Sequence, residues 1–127
     1  WEKWSGKPFI ITEFYTKGED SGLPNNTGAG WNVRTQADRG WFYQNFVTAL
    51  LRSGNCVGWH WFTYMDNDPQ NLKTDPSNRD SNKGVVNWAF EPYTVLLDEM
   101  KQLNDCTYRL IRHLDAEKAE ENRKTTK

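Results

Sequence analysis

The stretch Cys56-Val57-Gly58-Trp59-His60-Trp61-Phe62 decides the fold, because it follows, after a long loop and a helix-patterned segment, a similar run, Pro8-Phe9-Ile10-Ile11-Thr12-Glu13-Phe14. Both runs are short, rich in aromatic and β-branched residues and bounded by turn formers. This predicts two strands, the first of them buried on both faces. Between them, Thr35 followed by Asp38 predicts a helix start of the capping-box kind, and Phe42, Tyr43, Phe46, Val47, Leu50 and Leu51 share one helical stripe that Gly54 closes. Pro92 opens a second predicted helix at the favoured first position, with Tyr93, Leu96, Leu97, Met100 and Leu103 on its apolar face. Tyr108, Leu110, Ile111 and Leu114 continue that face after a break expected near Asn104, and residues 115–127 read as a charged, frayed tail.

The resulting order, strand, helix, strand, helix, is that of consecutive βα units in a parallel sheet. The connections are unequal. Only Ser53-Gly54-Asn55 lead from helix to strand, whereas Thr16 to Arg34 and Thr63 to Glu91 are long, polar and without period. Loops of that length inside a compact domain are usually functional, and in α/β sheets ligands sit where such loops leave the carboxyl ends of strands. A closed barrel needs eight strands and about 250 residues. The fold class expected is therefore α/β: two or more C-terminal βα units of a TIM (β/α)8 barrel, incomplete as a 127-residue chain. Residues 1–114 form the barrel portion, and Trp1 to Lys7 end the preceding unit.

Composition narrows the chemistry. Sixteen Lys plus Arg against 17 Asp plus Glu give a formal charge of −1, which disfavours a nucleic-acid or anionic-membrane partner. No apolar run is long enough for a transmembrane span, and the first residues do not read as a retained secretory leader. Aliphatic residues are few, but seven Trp, six Phe and five Tyr supply both core area and flat surfaces for ligands. A chain of this kind reads as part of a larger fold or as a wall of a binding cleft. Glu13 is the one charge in its strand, where a carboxylate is either held by an interior Arg or amide or used in an active site. Asp66, Asn67, Asp68, Asp75, Asn78, Asp80 and Asn82 invite a calcium reading, but the EF-hand pattern fails at Asn71 and Ser77, and turn formation or contacts to ligand hydroxyls are the expected uses. No metal or cofactor is expected. Cys56 and Cys106 read as unlinked thiols, and Asn25-Asn26-Thr27 is a sequon too short to carry weight.

The phrase Ile11-Thr12-Glu13-Phe14, followed at this separation by Gly58-Trp59-His60-Trp61-Phe62-Thr63-Tyr64-Met65-Asp66-Asn67-Asp68, resembles strands seven and eight of the retaining (β/α)8-barrel glycoside hydrolases. Within them it is most similar to the β-agarases and related hydrolases of galactan polysaccharides, over roughly residues 1–114. The resemblance implies that Glu13 is the nucleophile, that Trp61 floors a sugar subsite, and that a galactan polysaccharide or oligosaccharide is the partner. The acid/base Glu of such enzymes, at the end of the fourth strand, has no counterpart here. Trp31, His60, Tyr64, Asp66 and Glu19 complete the expected substrate contacts; Trp31 could equally clamp its loop, and His60 could equally be structural. Trp59, on the same face of its strand as Trp61, reads as packing. The resemblance also suggests a secreted, periplasmic or cell-surface setting in bacteria. Two rival readings are a carbohydrate-binding remnant and a structural half-barrel that associates through exposed strand edges. On the leading reading, Glu13 lies at the carboxyl end of its strand, beside the Trp59–Phe62 strand end, and faces a cleft.

Overall fold

The computed structural model describes residues 5–125 and is a mixed α/β structure with small parallel sheets. Strand β1 (Phe9–Phe14) pairs in parallel with β4 (Cys56–Trp61). Helix α1 (Gln36–Ser53) connects them and helix α2 (Thr94–Thr125) packs against α1. The capping box forms as expected: Thr35 accepts from the Asp38 amide, and the Asp38 carboxylate accepts from the Thr35 amide. Gly54, at φ 78°, ends α1 in the left-handed region that disfavours any residue with a Cβ. Residues 1–4 lie outside the described residues, and with them most of the segment expected to end a preceding unit.

The first long loop contains more structure than its composition suggests. Lys17–Gly18 (β2) pairs in parallel with Asn32–Val33 (β3), and Glu19–Ser21 form a 3₁₀ turn between them. Its Asp20 accepts from the backbone and the side-chain amide of Gln36, both at 3.0 Å, and so adds a carboxylate to the N-terminus of α1.

Phe14 anchors the core. Its ring stacks on Phe46 at 4.4 Å between centroids and meets Trp61 edge-on at 5.4 Å. Below it Tyr43, Val47 and Leu51 of α1 pack with Leu96, Met100, Leu103 and Leu114 of α2. One hydrogen-bonded relay crosses the whole assembly: Trp59 Nε1 donates to Tyr43 Oη at 2.8 Å, and Tyr43 Oη donates to Asn104 Oδ1 at 2.7 Å. Asn104 therefore spends its side chain on α1 rather than on competing with its own backbone, and α2 runs through the expected break without interruption. Residues 115–125 continue the same helix instead of fraying, supported by a His113–Glu117 contact at 3.3 Å and by Lys118 Nζ, which donates to the Ser53 carbonyl at 3.1 Å. Pro92 is not the first residue of α2. It bridges to Val86, and the Tyr93 amide donates to the Val85 carbonyl, so the helix starts two residues later at Thr94.

β1 is covered on one face only, which corrects the expectation of a strand buried on both. Ile10, Thr12 and Glu13 are exposed because no described element lies over that face. A register shift between Ile11 and Phe14 places Phe14 opposite Trp61, so that both turn to the helices.

α1 and α2 approach closely at Gly40. A Cβ there would stand 2.3 Å from Glu99 Cβ, an atom too near its own backbone to move aside. Gly40→Ala should therefore destabilise by about 1–3 kcal/mol through overpacking, although alanine is the better helix former by about 1 kcal/mol. Chemical denaturation of the two proteins checks this.

Candidate functional site

The carboxyl ends of β1 and β4 and the two loops that leave them meet at one end of the molecule. Past the strands the pairing continues, with the Phe62 amide donating to the Phe14 carbonyl at 3.1 Å and the Thr63 amide to the Lys83 carbonyl at 3.2 Å. Glu13 lies at this end, as expected. It lines an open groove of about 400 Å³ together with Phe14, Tyr15, Gly30, Trp31 and Phe42. Trp31 is 77% exposed on the first loop, a flat surface beside the carboxylate. His60, Tyr64 and Glu19 are exposed as well, but none of them lines this groove.

Two expected contacts are corrected. Trp61 points to the helices: its Nε1 donates to the Lys83 carbonyl at 2.7 Å, and its ring meets Phe14, Tyr43 and the Arg39 guanidinium. The period-two alternation put Trp59 and Trp61 on one face, and that face is the packed one. Asp66 is only 1% exposed and spends both carboxylate oxygens on partners within the protein. Its Oδ1 accepts from the amides of Lys83 (2.8 Å) and Gly84 (2.6 Å), and its Oδ2 accepts from Asn82 Nδ2 (2.8 Å) and Tyr93 Oη (2.7 Å).

Asp66 belongs to a buried polar network that joins the loops. Asn82 Oδ1 accepts from the Gly18 amide at 3.1 Å and from Gln36 Nε2 at 2.9 Å, while the Asn82 amide donates to Asn25 Oδ1. Asn25 Nδ2 donates to the Gly18 carbonyl, so the sequon asparagine is buried and engaged. Lys17 Nζ donates to the carbonyls of Asn25, Thr27 and Gly28 at 3.1–3.2 Å; burial, and after it the charge of Lys83, lowers its pKa. Asp80 holds the second loop to the first by accepting from the amides of Asn26 and Thr27. Asp68 and Asp75 accept from amides two residues on, the turn-forming use that their composition suggests. Cys56 and Cys106 are free.

Arg39, Lys17, Lys83 and Tyr15 are the site residues that sequence reasoning missed. Arg39 carried a signal: it stands one turn before Tyr43, on the apolar stripe extended backwards. Lys83 had none. Its ammonium lies 4.0 Å from the Tyr15 ring centroid and donates to Asn78 Oδ1, and its side chain is buried. Burial lowers its pKa, while the charges of Glu13 and Asp75 act in the opposite direction.

No family model matches the sequence. A curated relative, Beta-agarase A of Vibrio sp. (strain JT0107), is 33% identical over 98 residues, which is 77% of this chain and 9% of that protein. The crystal structure of BpGH50 matches with a TM-score of 0.73 and 44% identity over 85% of this chain and 21% of that one. An exo-beta-agarase structure matches with a TM-score of 0.69 and 30% identity over 83% of this chain and 14% of that one. This chain is β-agarase-like over most of its length, its homologues are β-agarases, and it spans only a small part of each of them.

Asp66→Asn puts an NH₂ group where two of four donors now converge on a carboxylate oxygen. It should destabilise the protein by about 2–4 kcal/mol, and hydrogen exchange should show the amides of Lys83 and Gly84 losing protection first.

Proposed function

We propose that this chain is the C-terminal portion of a retaining (β/α)8-barrel glycoside hydrolase that cleaves β-galactosidic bonds in agarose- or porphyran-like galactans, with Glu13 as the nucleophile. The observation that carries this reading is the position of Glu13, at the carboxyl end of a parallel strand in an open groove beside Trp31 and Tyr15. Likeness to β-agarases over most of the chain supports the substrate class. Residues 1–114 would contribute the last βα units, and 115–127 the charged tail.

In a retaining mechanism the nucleophile carboxylate attacks the anomeric carbon as a second carboxylic acid, about 5–5.5 Å away, protonates the departing oxygen. A covalent glycosyl intermediate forms, and water releases it with the second group acting as base. Glu13 supplies the first role. The second would come from an earlier strand of a longer chain facing the same groove. The exposed face of β1 leaves room for such a neighbour, since nothing in the described residues covers Ile10 and Thr12.

Trp31 favours a second reading, a module that grips polysaccharide without cleaving it, because a tryptophan 77% exposed beside a groove is a stacking surface whether or not hydrolysis follows. Product release separates the two. In a protein that carries this segment and turns over agarose, Glu13→Gln should lower the rate by several orders of magnitude while binding persists. Azide should partly restore turnover of an activated substrate in Glu13→Gly. Wild-type rates in Glu13→Gln would remove Glu13 from the chemistry.

The aromatic residues divide in a second test. Trp31→Ala should weaken polysaccharide retention and change stability by no more than about 0.5 kcal/mol. Trp61→Ala should lower stability by about 3 kcal/mol or more, since it empties part of the core.

A further inference from the structure

We propose that Tyr15 is the positioning residue for Glu13: its phenol donates a hydrogen bond to one carboxylate oxygen and leaves the other directed into the groove. This inference rests on the reading of Glu13 as the nucleophile and adds to it the group that fixes the carboxylate's orientation.

Three observations carry it. Glu13 and Tyr15 are two residues apart at a strand end and both line the groove; Phe14 between them also borders it but is buried in the core. The Tyr15 ring is held on several sides. Gly30, at φ 98°, lies against it so closely that a Cβ would stand 2.6 Å from the ring; Phe62 meets it at 5.5 Å between centroids, and the Lys83 ammonium sits over it at 4.0 Å. A ring fixed in this way presents its hydroxyl at one place, whereas an exposed glutamate has several rotamers of similar energy to lose. The titration of the phenol agrees: burial first, then the charge of Glu13 and a hydrogen bond with it, push its pKa above the ordinary tyrosine value.

Lys83 has a part in the same arrangement. Its cation over the Tyr15 face makes the phenol a better donor, and it lies close enough to Glu13 to feel its charge. Glu13 faces Tyr15 from the strand end and Lys83 from the second loop. A neutral donor on the carboxylate, rather than a directly paired lysine, holds the group without neutralising it.

The experiment labels tyrosine Cζ and glutamate Cδ with carbon-13 in the chain and follows both by NMR. Glu13→Gln should bring the Tyr15 titration down towards the ordinary range, and Tyr15→Phe, which keeps the ring, should move the Glu13 carboxyl resonance at neutral pH. A Tyr15 titration unchanged by Glu13→Gln would overturn the proposal, as would a Glu13 resonance indifferent to Tyr15→Phe. In a protein that carries this segment and turns over substrate, Tyr15→Phe should lower kcat about ten- to a hundredfold with KM nearly constant. Equal turnover in Tyr15→Phe would also overturn it. If the two resonances are coupled but Glu13→Gln retains full activity, the nucleophile reading fails and the contact stands.

Discussion

Arg39 is a cation with no exposed surface, and the arrangement of both loops follows from the need to satisfy it. Its Nε donates to the Thr16 carbonyl of the first loop at 3.0 Å and its Nη2 to the Gly84 carbonyl of the second at 2.9 Å. Nη1 donates to Gln36 of its own helix, and the guanidinium lies between the rings of Trp61 and Tyr93. Burial lowers its pKa to about 10, against the opposing influence of Asp66, so it stays charged at neutral pH. A buried guanidinium that loses a partner is strongly destabilising, so neither loop can lift away alone.

The aromatic residues, which dominate the composition, serve two distinct ends. Phe14, Phe46, Trp59 and Trp61 replace the missing aliphatics in the core, with the indole nitrogens of both tryptophans spent on Tyr43 and Lys83. Trp31, Tyr15 and Phe42 form the wall of the groove. The register shift in β1 separates the two sets, since it turns Phe14 inward and leaves Glu13 outside.

Local signals in the sequence were reliable where a few neighbouring residues decide the outcome. The Thr35–Asp38 box, the Gly54 stop and the parallel pairing of two apolar runs all belong to that class. Alternation showed that Trp59 and Trp61 share a face, yet which face is covered depends on helices distant in sequence. Asp66 looked like a ligand contact because four donors gathered from residues 82–93 leave no trace near it. Asn104 and Pro92 looked like helix boundaries for ordinary reasons of propensity, and long-range partners overruled both. The place of Glu13 at a strand end was legible because a lone charge in an apolar strand needs an explanation that local structure does not provide.

Asp20 at one end of α1 and Lys118 at the other come from opposite sides of the helix in sequence, one from the loop before it and one from late in α2. Each matches the partial charge of the helix end that it meets. The fit works in one direction only. A helix docked upside down on the same apolar stripe would bury similar surface, but it would set a carboxylate against carbonyl oxygens and an ammonium against amide hydrogens. The pair thus acts as a polarity key, telling the two ends of an otherwise nearly symmetric greasy rod apart.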